Sequence, residues 1–126
     1  MNPEDFTKAF AGAFGRHDAV ALAALLAEDA EVLTLTGAAT LGAKAAEAAF
    51  AAEFSGIFAV SRLVTGKMRL RDLGTEVTIV SQRFVVSGAR DQAKTELPRI
   101  GALLTAVLVV EAGEWRAVNL TFSATA

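Results

Sequence analysis

The run from Ile100 to Val110 is apolar at both odd and even positions, broken only by Gly101 and Thr105. A strand alternates its side chains between two faces, so a strand apolar at both parities needs cover on both. The run falls well short of the roughly 20 residues a membrane-spanning helix requires. It is therefore predicted as a buried strand with helices on one face. The other face is left for a second subunit, and a homodimer through the outer face of the sheet is expected.

The residues before this run carry helix signals. Asn2 can cap a helix that has Pro3 at its first position, Glu4 and Asp5 in its first turn and Gly15 past its end. Phe6, Phe10 and Phe14 then recur every fourth residue, a stripe that needs a core. Asp18 can cap a second helix running to about Ala27, with Leu22, Leu25 and Leu26 on one face. From Glu31 to Thr36 the pattern becomes that of a short strand, and Gly37 to Gly42 reads as a turn or a strand stub.

A third helix is expected over 43–54, with Ala46, Phe50 and Phe54 in register and Gly56 ending it. Four strands follow, near 58–72, 75–87, 99–111 and 114–124. Two of the connections, Leu73-Gly74 and Ala112-Gly113, suit tight hairpins. Helices first and an antiparallel meander after them define an α+β fold, not alternating βαβ units.

The bulk numbers narrow the partners. With 126 residues, 53% of them apolar, the chain matches one globular domain. A formal charge of -2 gives no patch suited to a phosphate backbone, so nucleic acid is not expected. The absence of cysteine excludes disulfides and thiolate metal sites. One histidine and scattered carboxylates make no metal set, and neither a metal nor another cofactor is expected. The first residues lack the basic and then apolar character of a secretory signal, so a cytoplasmic location and no membrane association are expected.

Several segments together resemble a known superfamily. Arg16-His17-Asp18, followed by Leu22 and by Leu25 to Val32, is similar to the entry of SnoaL-like, ketosteroid isomerase-like domains, also called nuclear transport factor two-like. The stretch from Gly42 to Phe54 resembles the helix after the glycine in that superfamily, and Glu111 to Arg116 its last hairpin. Phe58 to Leu73, Val77 to Val80, Arg99 and Trp115 are most similar to its SgcJ/EcaC group, although the Asn-Thr pair expected after the tryptophan occurs only as separated Asn119 and Thr121. The resemblance covers nearly the whole chain. It implies a cystatin-like cone, with about three N-terminal helices packed on a curved, mostly antiparallel sheet around an apolar pocket.

The isomerases of that superfamily use an aspartate base, with a tyrosine and a protonated aspartic acid as oxyanion donors. The matching positions here are Thr34, Phe10 and Ala106. None of the three can do that chemistry. The resemblance implies instead a pocket for a small hydrophobic molecule, polyketide-like or aromatic. Its walls would be Phe10, Phe14, Thr34 and Phe54, with Arg62 from the first long strand, Thr78 and Gln82 from the second, and Asn119 and Thr121 from the last. Were the chain an enzyme, Arg62 or Gln82 would polarise a carbonyl and Asp29 or a bound water would move the proton. The other reading is a noncatalytic dimeric interaction module that fills its interior with its own side chains. His17, beside a capping aspartate, is read as structural.

Overall fold

The structure, a computed structural model, describes residues 1–125. The elements are α1 (Pro3–Gly15), α2 (Ala19–Ala23), β1 (Leu26–Leu33), β2 (Ala39–Leu41), α3 (Ala43–Phe54), β3 (Arg62–Asp72), β4 (Val77–Ser87), β5 (Ile100–Glu111) and β6 (Glu114–Ala124). The strands form one six-stranded sheet in the order β2-β1-β6-β5-β4-β3. The β1–β6 pair is parallel and the others are antiparallel. This is the α+β, helices-on-sheet architecture that the sequence implies. Among the described residues no helix is long and apolar enough to cross a membrane.

Local chemistry sets the ends of the elements. The Asn2 N–H donates to the Asp5 carboxylate at 3.2 Å, closing the start of α1. Gly15 is the last residue of α1, not the residue after it. The left-handed position falls on His17 at φ 56, where the N–H of His17 bonds to Phe14 O and that of Asp18 to Ala13 O. That is a Schellman motif with histidine in the place glycine usually takes. Asp18 accepts from the Ala21 N–H at 3.0 Å and caps α2.

α2 is shorter than expected. The spacing of Leu22, Leu25 and Leu26 favours helix to about Ala27, but the Leu25 carbonyl accepts from the Ala117 N–H at 2.9 Å and β1 begins at Leu26 alongside β6. A tertiary pairing overrides local propensity here. At the other end of the sheet, 58–61 form turns and β3 begins only at Arg62. The β5–β6 hairpin turns on Ala112 and Gly113, both at positive φ, as a two-residue loop of matching twist requires. Gly88, at φ +78, must be glycine, since a Cβ there would lie 2.8 Å from Val60 O.

The inner face of the sheet is buried row by row: Val80, Gln82, Phe84 and Val86 from β4, Ala102, Leu104, Ala106 and Leu108 from β5, and Leu120 and Phe122 from β6. Against it lies the α1 stripe of Phe6, Phe10 and Phe14. Phe14 is the hub, with ring centroids 6.0 Å from Phe10, 5.1 Å from Phe54, 5.7 Å from Phe58 and 5.7 Å from Phe122. Edge-to-face aromatic pairs add about 0.5–1.5 kcal/mol each beyond the area they bury.

Replacing Phe14 with alanine should therefore lower unfolding stability by about 3–5 kcal/mol in urea titration. Val20→Ala, at a site 67% exposed, should change it by less than about 0.5 kcal/mol. A Phe14→Ala loss no larger than that of Val20→Ala would contradict this packing.

Candidate functional site

The inward parity of β4 places Thr78, Val80, Gln82 and Phe84 on the helix side. With Phe10, Phe14, Thr34 and Phe54, six of the nine sequence-derived pocket residues share the interior. They do not enclose an open pocket, however. Phe10 lies 5.9 Å from Phe84 and 5.3 Å from Phe122, while Phe84 lies 5.9 Å from Phe122, so the rings of opposite walls meet.

The polar members of this set are engaged in holding the fold. Gln82, 1% exposed, donates from Nε2 to Gly66 O at 2.8 Å and to Arg83 O at 2.9 Å. Those bonds pin a bulge in β3 between Thr65 and Met68. The Thr78 hydroxyl donates to Asp72 Oδ1 at 2.9 Å across the same strand pair. Thr34 Oγ1 accepts from the Ala38 N–H at 3.2 Å in the turn between β1 and β2.

The other three residues lie elsewhere, and bulges are the reason. Trp115 and Ala117 pair with Val110 and Leu108 on the inner face, so strict alternation would bring Asn119 and Thr121 inside as well. A register shift around Val118 reverses the parity, because one extra residue turns every later side chain to the other face. Leu120 and Phe122 point inward, and Asn119 and Thr121 sit on the outer face. There Asn119 lines a groove of about 690 Å³ with Asp29, Glu31, Leu41 and Val107. Thr121 lines a smaller one of about 290 Å³. Arg62 follows the same logic: the bulge at Gly66-Lys67 leaves Leu63 inward and Arg62 exposed, opposite Ser87. Asp29 is exposed too, away from the interior.

The open concavity near the aromatic cluster is at the end of the cone. A groove of about 800 Å³ runs between the turn after α3 and the β4–β5 loop. Ile57, Ala59, Val60 and Leu97 give it an apolar floor, and Gln92, Arg90, Asp91 and Lys94 a polar rim. The Arg90 N–H donates to Ile57 O at 3.0 Å and ties the two walls together. Asp91 closes the loop on itself through Thr95, with N–H···O distances of 2.9 Å and 3.0 Å. Phe58, between two floor residues, turns inward onto Phe14. His17 braces this end, its ring Nε2 lying 3.2 Å from Ser61 O and its ring centroid 5.3 Å from that of Phe54.

Glu53 escapes a reading by sequence, because charge at the end of an alanine-rich helix looks solvated. It is only 6% exposed, and its Oε2 accepts from the Thr36 hydroxyl at 2.5 Å. Its Oε1 is buried without a partner among the described residues. Buried polar atoms are nearly always partnered, so this oxygen marks a place for a water or a ligand donor. No three His, Asp or Glu side chains gather at metal-holding distance among the described residues.

No protein-family model matches the chain, and no curated protein matches it. Solved structures do. An uncharacterised Caulobacter vibrioides protein with a cystatin-like fold superposes with TM-score 0.88 at 15% identity, over 98% of this chain and 87% of its own. A Novosphingobium aromaticivorans protein named as a scytalone dehydratase gives 0.79 at 16% identity, over 98% and 81%. A ketosteroid isomerase-like protein of Erwinia carotovora atroseptica gives 0.79 at 17% identity, over 98% and 93%. The chain has the cystatin-like fold. At these identities the likeness defines architecture and leaves activity to the site.

Gln82→Leu should cost about 1–3 kcal/mol, because it leaves the carbonyls at the β3 bulge without their donor. Urea unfolding measures the loss, and the amide resonances of Gly66 and Lys67 should shift with it. A variant as stable as the parent would mean that the amide does not hold the bulge.

Proposed function

We propose that the chain is a small-molecule-binding protein of the SnoaL-like, ketosteroid isomerase-like superfamily, of the SgcJ/EcaC type. It takes a hydrophobic, aromatic or polyketide-like compound at the end of the cone. The observation that carries this reading is the groove on Ile57, Ala59, Val60 and Leu97. Its volume of about 800 Å³ and its apolar floor under a few polar groups suit a small ligand. The names of two fold neighbours, a scytalone dehydratase and a ketosteroid isomerase-like protein, support a small-molecule role. The reading is one of binding and not of isomerase turnover, because Phe10, Thr34 and Ala106 supply neither a base nor an oxyanion donor.

The filled interior favours a second reading, a noncatalytic dimeric interaction module. The partner in both readings is a second copy. On β5, Leu103, Val107 and Val109 point away from the helices and stay part-exposed in the single chain. Covering them with another sheet is the direct way to complete their burial.

2-Naphthol, a neutral aromatic probe, should raise the thermal midpoint of the parent protein. Val60→Asp, at a site 49% exposed, should remove that rise while leaving the unliganded midpoint nearly in place. No rise for the parent with millimolar 2-naphthol would sink the groove assignment in favour of the interaction module. Sedimentation of the parent at micromolar concentration should give the mass of a dimer, and a purely monomeric species would contradict the self-association.

A further inference from the structure

The two walls of the end groove differ in electrical character. One wall is the C-terminal end of α3 and the turn after it, lined by Ser55 and Gly56. The backbone donors of this wall are occupied. The N–H of Ser55 bonds to Ala51 O, those of Gly56 and Phe58 to Glu53 O, and that of Ala59 to Gly56 O, at 2.8 to 3.1 Å. A helix also ends in carbonyl oxygens and carries the negative pole of its dipole there, roughly half a unit of charge. An anion has nothing to gain on this side.

The other wall is the loop between β4 and β5, which brings Arg90, Gln92 and Lys94 to the rim, with Asp91 as its carboxylate. Asp91 is turned into its own loop, where Oδ1 accepts from the Thr95 N–H at 2.9 Å. Glu96 stands opposite Arg90 in an isolated bridge and lies outside the lining of the groove. Two cations and one carboxylate leave the lining with one net positive charge, more than the half-charge of the helix end. The chain as a whole has the opposite balance, with 14 acidic residues against 12 basic ones.

Lys94 holds its place against backbone preference. Its φ of 63 lies in the left-handed region, and its N–H bonds to Asp91 O at 2.9 Å while the Asp91 N–H bonds to Thr95 O at 3.0 Å. This is a three-residue hairpin loop in which the position of Lys94 usually belongs to glycine. A lysine there is strained, and strain of this kind gathers at sites of function.

We propose that the compound taken by this groove is a carboxylated aromatic, with its ring on Ile57, Val60 and Leu97 and its acid group against Arg90 and Lys94. The proposal rests on the small-molecule reading above and adds the charge and the orientation of the ligand. The planar fork of Arg90 can take both oxygens of a carboxylate, and Lys94 adds a point charge beside it. Rim and floor are one tied unit, since the Arg90 N–H donates to Ile57 O at 3.0 Å and the Leu97 N–H to Ala89 O at 2.7 Å. Their spacing is set before a ligand arrives, which lowers the cost of binding one. A ligand turned end for end would place its carboxylate on the carbonyls of α3, so one orientation is selected.

Calorimetric titration at neutral pH with three probes of similar size tests this: 2-naphthoate, neutral 2-naphthol and the cation of 2-(aminomethyl)naphthalene. At low salt the parent protein should bind the naphthoate about tenfold tighter than the naphthol and the cation most weakly, and high salt should shrink the difference. Lys94→Asn suits the left-handed turn, and Arg90→Gln keeps the N–H that bonds to Ile57 O. Each should lower the ratio of naphthoate to naphthol affinity by about threefold or more, and the two together should bring it near one, whereas Lys94→Arg should retain it. Circular dichroism checks the fold of each variant. Equal affinities for naphthoate and naphthol, or a preference for the cation, would overturn the acid recognition and leave the groove reading standing. A ratio unchanged in the double variant would overturn the assignment to Arg90 and Lys94. A parent protein that binds none of the three would remove the groove reading itself, and this proposal with it.

Discussion

β5 is apolar on both faces, and the rest of the molecule is arranged around the need to cover it. Its inner row of Ala102, Leu104, Ala106 and Leu108 is small and large in turn, with Phe84 of β4 opposite Ala102 and Leu120 of β6 opposite Ala106. Its outer row of Leu103, Val107 and Val109 receives no such cover from the chain. The same residues that make β5 the centre of the sheet thus make the single chain incomplete. That is the physical reason for proposing a second copy on this face.

The interior is filled by the chain's own side chains. At the positions that the sequence resemblance matches to the base and oxyanion donors of ketosteroid isomerases, this chain has Thr34, Phe10 and Ala106. Phenyl rings in edge-to-face contact occupy the interior, and Gln82 and Thr34 face inward to hold a bulge and a turn. Gln82 stitches β4 to the bulge of β3, and Thr34 closes the β1–β2 turn. Glu53 stands apart as the buried carboxylate with an open oxygen. At the end of the cone, two segments tied by Arg90 and Ile57 leave an apolar floor uncovered, and the proposed ligand site lies there.

Much of this was legible in the residues. The phenylalanine stripe of α1, the span of α3, the Ala112-Gly113 hairpin and the double-sided β5 follow from period, capping and turn chemistry. The errors trace to features with no local signature. β1 starts five residues before the expected Glu31 because its parallel partner β6 lies about ninety residues downstream, and no window of sequence contains both. The family resemblance places Asn119, Thr121 and Arg62 in the pocket, yet one extra residue in β6 and the bulge in β3 turn them outward. Alternation is a strong rule that a single bulge inverts. The end groove was not legible at all, since its walls come from segments some thirty residues apart that carry no shared pattern.

In the proposed function the chain closes its interior with its own phenylalanines and meets its ligand at the end of the cone. Methyl-resolved NMR during titration with 2-naphthol addresses this directly. The methyl groups of Ile57, Ala59, Val60 and Leu97 should move in a saturable way while those of Leu104, Ala106 and Leu120 stay in place. Shifts concentrated on the interior methyls, or none anywhere, would contradict it.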